Sequence, residues 1–286
     1  MPFEYVAPAS LAAAVDLLAA RGGTARALAG GTDLLVRMHN GAWRPGVVVD
    51  LKRVREISGA IVDTGATLRI GALTTMARVC ADATVARVFP ALADAAAVVG
   101  SVQIRNRATV AGNICMASPA GDTAPPLLVY DAVVHLAGPH GARSVPLNEF
   151  FTGPGTSVRR HDEIMTSTEL PLGPHTGGAW LRVSRRNGLD LSSVSVACLL
   201  EQTGAVRFAF GAVGPTPFLV RDESGVWGDE TARDHQRDAA LERIVSHCRP
   251  ITDIRAGSAY RRAMALVLAR RALAMARERL HRSLAS

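Results

Sequence analysis

The sequence predicts a chain of mixed helices and strands organised as two domains. Three observations carry this. The length of 286 residues is nearly twice a typical domain of roughly 150. Short β-branched runs are bracketed by hairpin punctuation, and near residue 175 the pattern changes to strands followed by two long helical stretches. With 48% hydrophobic and 20% charged residues, 26 Gly and 15 Pro, the composition is that of a globular protein and excludes disordered and fibrous classes.

Taken in order, Ser10 caps a helix from Leu11 to about Ala20, which Gly22-Gly23 stops, and Ala25 to Leu28 reads as a short buried strand broken by Gly30-Gly31-Thr32-Asp33. Val47 to Val49 is a β-branched run. Ile61-Val62 and Thr67 to Ile70 flank Asp63-Thr64-Gly65 as a hairpin. Helical patterns at Thr75 to Ala81 and Pro90 to Val99 precede a glycine-containing loop, Thr109 to Asn113. That loop opens an irregular stretch through Asp122, before a Pro-started helical segment near Pro125 to Tyr130. A second hairpin joins Val133–Leu136 to Arg143–Pro146 around Gly138-Pro139-His140-Gly141, and Ile164 to Leu170 is a strand ending at Pro171. Gly173-Pro174-His175-Thr176-Gly177-Gly178 reads as a linker and sets the domains at 1–175 and 176–286. Strands near Ala179 to Val183, Ser193 to Leu200 and Val206 to Phe210 follow, then helices from about Thr231 to Cys248 and Ser258 to Leu280. No internal repeat is present.

Charge is concentrated at the C-terminal end. Of a net +7, +6 lies beyond Tyr260, where seven arginines face the single acid Glu278; Lys52 is the only lysine. A nucleic-acid groove would interleave arginines with stacking aromatics, and no aromatic follows Tyr260, so no nucleic-acid partner is expected. The arginines read as a solvated helix face or as a contact to an acidic partner subunit. Cys80, Cys115, Cys198 and Cys248 are separated by 35, 83 and 50 residues, which excludes a CxxC metal or iron-sulfur site and reads as buried reduced thiols. The opening MPFEY carries no basic leader. No apolar run reaches the roughly 18 residues needed to span a bilayer, so a cytoplasmic location is expected.

The glycine-rich loops match neither GxGxxG nor a P-loop, so a standard dinucleotide fold is disfavoured. LAGGTDLL (Leu28–Leu35) and RNRATVAGNIC (Arg105–Cys115) nevertheless each set small residues beside a hydroxyl, where backbone N–H groups can approach an anion. Each alone reads as a tight turn. Meeting in space, they could supply a pyrophosphate with donors from two sides without any lysine. His39, His135 and His161 read as loop or surface residues, no nucleophile-and-base pair or GxSxG is present, and Met264, Leu268 and Met275 read as core.

AGGTDLL, IRNRATVAGNIC and ASPAGDTAPPLL occur in that order, and with them the chain resembles the FAD-binding medium subunits of the molybdenum hydroxylases, the family of xanthine dehydrogenase and carbon monoxide dehydrogenase. The resemblance spans nearly the whole chain: FEYVAPASLAAAVDLL matches the family's opening, SRRNGLDLSSVSVA its middle and ITDIRAGSAYRRAMALVLARRAL its C-terminal domain. It implies an α+β fold, with a vanillyl-alcohol-oxidase (PCMH)-type FAD-binding domain of two subdomains and a C-terminal domain of antiparallel strands and helices.

By the same resemblance, Ala29, Gly30, Gly31, Thr32, Asp33 and Leu34 in the first loop, and Thr109, Val110, Ala111, Gly112 and Asn113 in the second, hold the FAD diphosphate. Asp122, with Ser118 close by, accepts from the ribose or adenine side; Met165 and Arg182 lie toward the flavin, Arg182 standing where a lysine is common. Ala111 replaces the first glycine of the family's commoner GGN, which requires it to stay at negative φ. Arg185-Arg186 with Asp190 could approach the flavin or a partner, or form a surface ion pair.

The function implied is electron transfer. A large subunit with a molybdenum cofactor hydroxylates the substrate, a small subunit carries two iron-sulfur clusters, and this chain passes electrons from FAD to an external acceptor, in a heterotrimer that is commonly doubled. The alternatives are a stand-alone flavoprotein reductase of the UDP-N-acetylenolpyruvoylglucosamine reductase kind, or a cofactor-free scaffold subunit.

Overall fold

The computed structural model describes residues 2–173, 176–186, 188–229 and 231–285. The chain enters through β1 (Glu4–Val6). The Ser10 hydroxyl then accepts from the Ala13 amide at 3.3 Å and starts α1 (Leu11–Arg21), whose Ala14, Val15 and Leu18 are buried. β2 (Ala25–Leu28), α2 (Leu34–His39) and β3 (Val47–Asp50) complete a small unit in which β1 and β2 both pair parallel to β3. The expected hairpin forms as β4 (Ile61–Asp63) and β5 (Thr67–Gly71), with Gly65 in the turn at φ +87°.

Short helices follow: α3 (Met76–Ala81), α4 (Ala83–Val88), α5 (Pro90–Ala97), α6 (Val102–Arg105), α7 (Val110–Cys115) and α8 (Ala124–Val129), the last with proline in its first turn. The second hairpin is β6 (Val133–Gly138) and β7 (Gly141–Pro146), followed by the small ribbon β8 (Phe151–Gly153) and β9 (Thr156–Ser157). β10 (Ile164–Pro171) inserts between the two hairpins to give an antiparallel sheet of order β4-β5-β10-β6-β7. Beyond it, β11 (Thr176–Val183), β12 (Val194–Glu201), β13 (Val206–Gly211) and β14 (Phe218–Arg221) form an antiparallel meander, and α9 (Asp234–Val245) and α10 (Ser258–Ala285) close the fold.

This last sheet is buried on both faces. Ala179, Val196, Cys198, Phe208 and Phe210 share a core with Leu241, Leu268 and Leu273 of α9 and α10. Trp180, Ala197, Leu199 and Ala209, of the opposite parity, join the core of the first 170 residues. β12 therefore reads as VSVACLL, apolar but for Ser195 and buried at all seven residues, where a half-exposed strand would alternate.

The linker expected at Gly173–Gly178 is corrected in part. Pro174 and His175 lie outside the described residues, but Gly177 and Gly178 belong to β11 and permit close packing instead of flexibility. A Cβ on Gly177 would sit 1.8 Å from the Ala276 carbonyl oxygen of α10, and one on Gly178 2.0 Å from the Tyr130 hydroxyl. Gly177→Ala is expected to lower stability by about 1–3 kcal/mol, because α10 must lift from the sheet. The measurement is the urea midpoint at unchanged slope.

The C-terminal arginines are likewise not simply a solvated face. Arg261 is 1% exposed and donates to the carbonyls of Ser193 (2.7 Å) and Ala212 (3.0 Å) and to Asp253 (2.6 Å). Arg279 clasps Asp94 of α5 at 2.6 and 3.0 Å and the Gly178 carbonyl at 2.8 Å, joining α10 to the first domain. Leu268 is core, with Met264 and Met275 packed against it, as expected.

Two further expectations change. Cys198 and Cys248 are buried, but Cys115 is only partly so and Cys80 is exposed; all four thiols are free. His135 lies in a strand with its ring between Glu169 (2.6 Å) and Ser144 (2.8 Å).

Candidate functional site

The two loops singled out in the sequence meet. β2 ends at Leu28 and the chain turns through Ala29–Asp33, with Gly31 at φ +82°, before α2 begins at Leu34. Gly30 is pressed against the segment that leads into the second loop: a Cβ there would lie 2.0 Å from the Arg107 carbonyl oxygen and 3.2 Å from the Ala108 Cα. Only glycine allows this approach. Among the described residues, no carbonyl or side chain accepts from the amides of Gly31, Thr32 and Asp33, and Asp33 makes no side-chain cap bond.

The second segment differs from the expectation in form. Thr109–Asn113 is not an open loop but the start of a helix: Thr109 caps α7, its hydroxyl accepting from the Gly112 amide at 3.0 Å, and Val110 donates to the Thr74 carbonyl at 3.2 Å. Ala111 is helical, so it keeps a negative φ as required, and a second glycine is unnecessary there. Its amide lies in the first helical turn, where the helix itself provides no partner.

The third segment is tied to the second. The fully buried Thr123 donates to the Asn113 side-chain carbonyl at 2.6 Å, and the Ser118 hydroxyl accepts from the Ala120 amide at 3.3 Å in a local turn. Asp122, 8% exposed, receives Ser192 on one oxygen (2.6 Å) and Arg182 on the other (3.0 Å). Burial pushes the Asp122 carboxyl up even against these two donors. Each carboxylate oxygen accepts more than one hydrogen bond, so capacity remains. Arg182 also donates to the carbonyls of Asp190 (3.3 Å) and Gly188 (3.2 Å), fixing the segment that carries Arg185 and Arg186. Arg186 and Asp190 form a loose surface pair at 3.8 Å, and Arg185 donates to the Ile254 carbonyl. Met165, 4% exposed on β10, lies behind α7 with its sulfur 3.7 Å from the Cys115 thiol.

The structure thus links the predicted residues into one arc: the first loop against the second, the second tied to the third through Asn113, and Asp122 paired with Arg182. Met165 joins from behind. Sequence reasoning did not single out Thr123 or Ser192, both 0% exposed and both donors within the arc. The signal was there for Ser192, since the hydroxyls of Ser192, Ser193 and Ser195 cluster where an apolar strand begins.

The residues fit a ligand with a diphosphate and a flat apolar ring. Unpartnered loop amides face the first requirement. For the second, Leu35 and Val36, directly after the first loop, and Val102, shortly before the second, are exposed by 53%, 56% and 62%. Among the described residues there is no His/Cys/Asp/Glu cluster for a metal ion, and no helix is long and apolar enough to cross a membrane.

Residues 1–173 match the family described as FAD binding domain in molybdopterin dehydrogenase, and residues 179–276 the CO dehydrogenase flavoprotein C-terminal domain. The xanthine dehydrogenase FAD-binding subunit of Escherichia coli O157:H7 is 34% identical over 264 residues, 90% of each chain. The carbon monoxide dehydrogenase medium chain of Hydrogenophaga pseudoflava is 32% identical over 279 residues, 95% of this chain and 96% of that one. In solved structures, the carbon monoxide dehydrogenase of the same organism superposes with a TM-score of 0.90 at 31% identity, covering 98% of both chains. Quinoline 2-oxidoreductase from Pseudomonas putida 86 gives 0.89 at 28%, covering 98% of this chain and 99% of that one.

Proposed function

Since the chain belongs to the family of FAD-binding domains of molybdopterin dehydrogenases and ends in the CO dehydrogenase flavoprotein C-terminal domain, we propose that it is the subunit of a molybdenum hydroxylase that receives electrons from iron-sulfur clusters and passes them to an external acceptor. The contact of Gly30 with Arg107 carries this reading, because it brings together two sets of backbone donors that are 80 residues apart in sequence and that singly would be ordinary turns.

Bound FAD would supply the electron chemistry through its isoalloxazine ring, which accepts and releases electrons without a protein acid or base. The protein's part is binding and orientation. Ala29–Leu34 and Thr109–Asn113 hold the diphosphate through main-chain amides. Asp122 accepts from sugar or adenine donors beside Ser118, with Ser192 and Arg182 keeping the carboxylate in place. Met165 backs the flavin side, and Leu35, Val36 and Val102 exclude water. The division of the chain falls at 1–175 and 176–286.

In this reading the partners are a large subunit with the molybdenum cofactor and a small subunit with two iron-sulfur clusters, assembled as a dimer of heterotrimers in the cytoplasm, where free thiols persist. The relatives named for xanthine dehydrogenase, carbon monoxide dehydrogenase and quinoline oxidoreductase act on different substrates, in keeping with a substrate pocket on another subunit.

The test is affinity purification of this chain from the cells that make it, followed by denaturation. Expected is one FAD released per chain and co-purification of two companions. An assembled complex that releases no flavin would reject the proposal in favour of a scaffold role.

A further inference from the structure

A groove of about 840 Å³ touches none of the loops above; it lies beside β14. Its lining includes Phe218, Leu219, Val220 and Arg221, the whole of that strand. Successive side chains of a strand point to opposite faces, so a cavity over one face would meet residues of one parity. Contact with all four places the groove along the strand's edge.

Among the described residues, β14 is the terminal strand of its sheet and pairs with β13 alone. The Asp222 amide donates to the Val206 carbonyl at 2.9 Å, and antiparallel ladders alternate bonded and non-bonded pairs. With Val220 opposite Phe208 and Leu219 opposite Ala209, the backbone groups of Phe218 and Val220 bond to β13, and those of Leu219 and Arg221 turn outward into the groove.

The walls narrow the choice of occupant. One is a single face of α9, with Ala240, Arg243 and Ile244, and His247 in the turn that follows it; the other is Asn148 and Phe151 of the first domain. Arg243 is exposed, and the His247 Nδ1 is turned back to the Arg243 and Ile244 carbonyls at 3.2 Å, leaving Nε2 to the groove. Arg221 is already bound to Asp131 at 2.6 Å, and Asp222 and Glu223 stand at the far end.

An open strand edge in a groove lined by both apolar and charged side chains is what an added strand recognises. We propose that this groove takes an extended segment of a companion polypeptide, bonded to the Leu219 and Arg221 backbone. Its side chains are alternately apolar, with an acid facing Arg243 and His247 and none at the Asp222–Glu223 end. The inference is independent of the flavin site.

A random peptide library selected on the immobilised full-length chain, its enriched peptides then titrated against the parent and Arg243→Glu, provides the test. Expected are peptides that alternate apolar residues about an acid, bind the variant about tenfold more weakly, and slow amide exchange in Phe218–Arg221. No enrichment, equal binding to the variant, or unchanged exchange in that segment would each overturn the proposal. The variant alters an exposed side chain, and the exchange measurement on the parent chain stands without it.

Discussion

Replacing Gly30 with alanine is expected to leave the purified chain without its yellow cofactor. The added carbon would lie 2.0 Å from the Arg107 oxygen and 2.8 Å from the carbonyl carbon, so backbone rather than a flexible side chain must give way. Overpacking against such a neighbour costs about 1–3 kcal/mol and sometimes more. Every 1.4 kcal/mol is tenfold in affinity, and the displaced loop also carries the amides proposed for the diphosphate.

FAD affinity of deflavinated protein, followed by fluorescence titration, is therefore expected to fall about 100-fold, with far-UV circular dichroism unchanged. Gly31→Ala makes the comparison. Its strain at φ +82° and its contact with the end of the Leu28 side chain at 2.9 Å, rather than with backbone, predict a smaller loss. A Gly30 variant that kept full flavin content would show that the contact between the two segments does not form the binding site.

The second large effect concerns stability. Arg261→Met removes a buried cation that donates to Ser193, Ala212 and Asp253, leaving two buried carbonyls unanswered beside α10 and Asp253 held by Arg255 without it. Each buried acceptor left without its donor costs about 1–3 kcal/mol. Arg261→Lys is expected to recover only part, since a point charge on a flexible stem cannot serve acceptors spread around a planar fork. Urea midpoints report both.

The same cluster has an acid signature. Arg255, with Arg261, holds the Asp253 carboxyl well below the usual carboxylate range. A depressed folded value means that the contribution is present above the unfolded pKa of about 3.9 and disappears as pH falls through the folded one. Arg261→Met should therefore flatten the acid limb of the stability profile. A midpoint equal to the parent's would show that the cluster is not holding α10 to the sheet.

Local signals account for what was legible in advance. Ser10 named the start of α1, Asp63-Thr64-Gly65 the first hairpin, and the prolines before Leu127 the start of α8, because caps and turns are satisfied by residues adjacent in the chain. α4, α6 and β14 were missed, as were α2, β1, β8 and β9. The first two are only six and four residues long, and β14 has four residues and no alternation, so neither period can assert itself. Gly177-Gly178 misled for a related reason: glycine signals freedom in the chain, and whether a turn or a tightly packed strand uses it depends on what approaches, here Ala276 and Tyr130.

The candidate site divides in the same way. Small residues beside hydroxyls at Ala29–Asp33 and Thr109–Asn113 could be read from the chain, as could Asp122, through an ordered set of motifs. That Thr109 starts a helix, that Asp122 meets Arg182 and Ser192, and that Arg279 reaches Asp94 could not.

The amino-acid order by itself determined the elements built from neighbours, the family and the residue types available to hold a diphosphate. Folding decided which of those residues face one another: Gly30 against Arg107, Arg261 withdrawn from water, and a strand edge left open at Leu219 and Arg221. The reason is physical. Hydrogen bonding within a turn or cap acts over three or four residues, whereas burial and ion pairing across a core act between segments that only the packed sheets bring together.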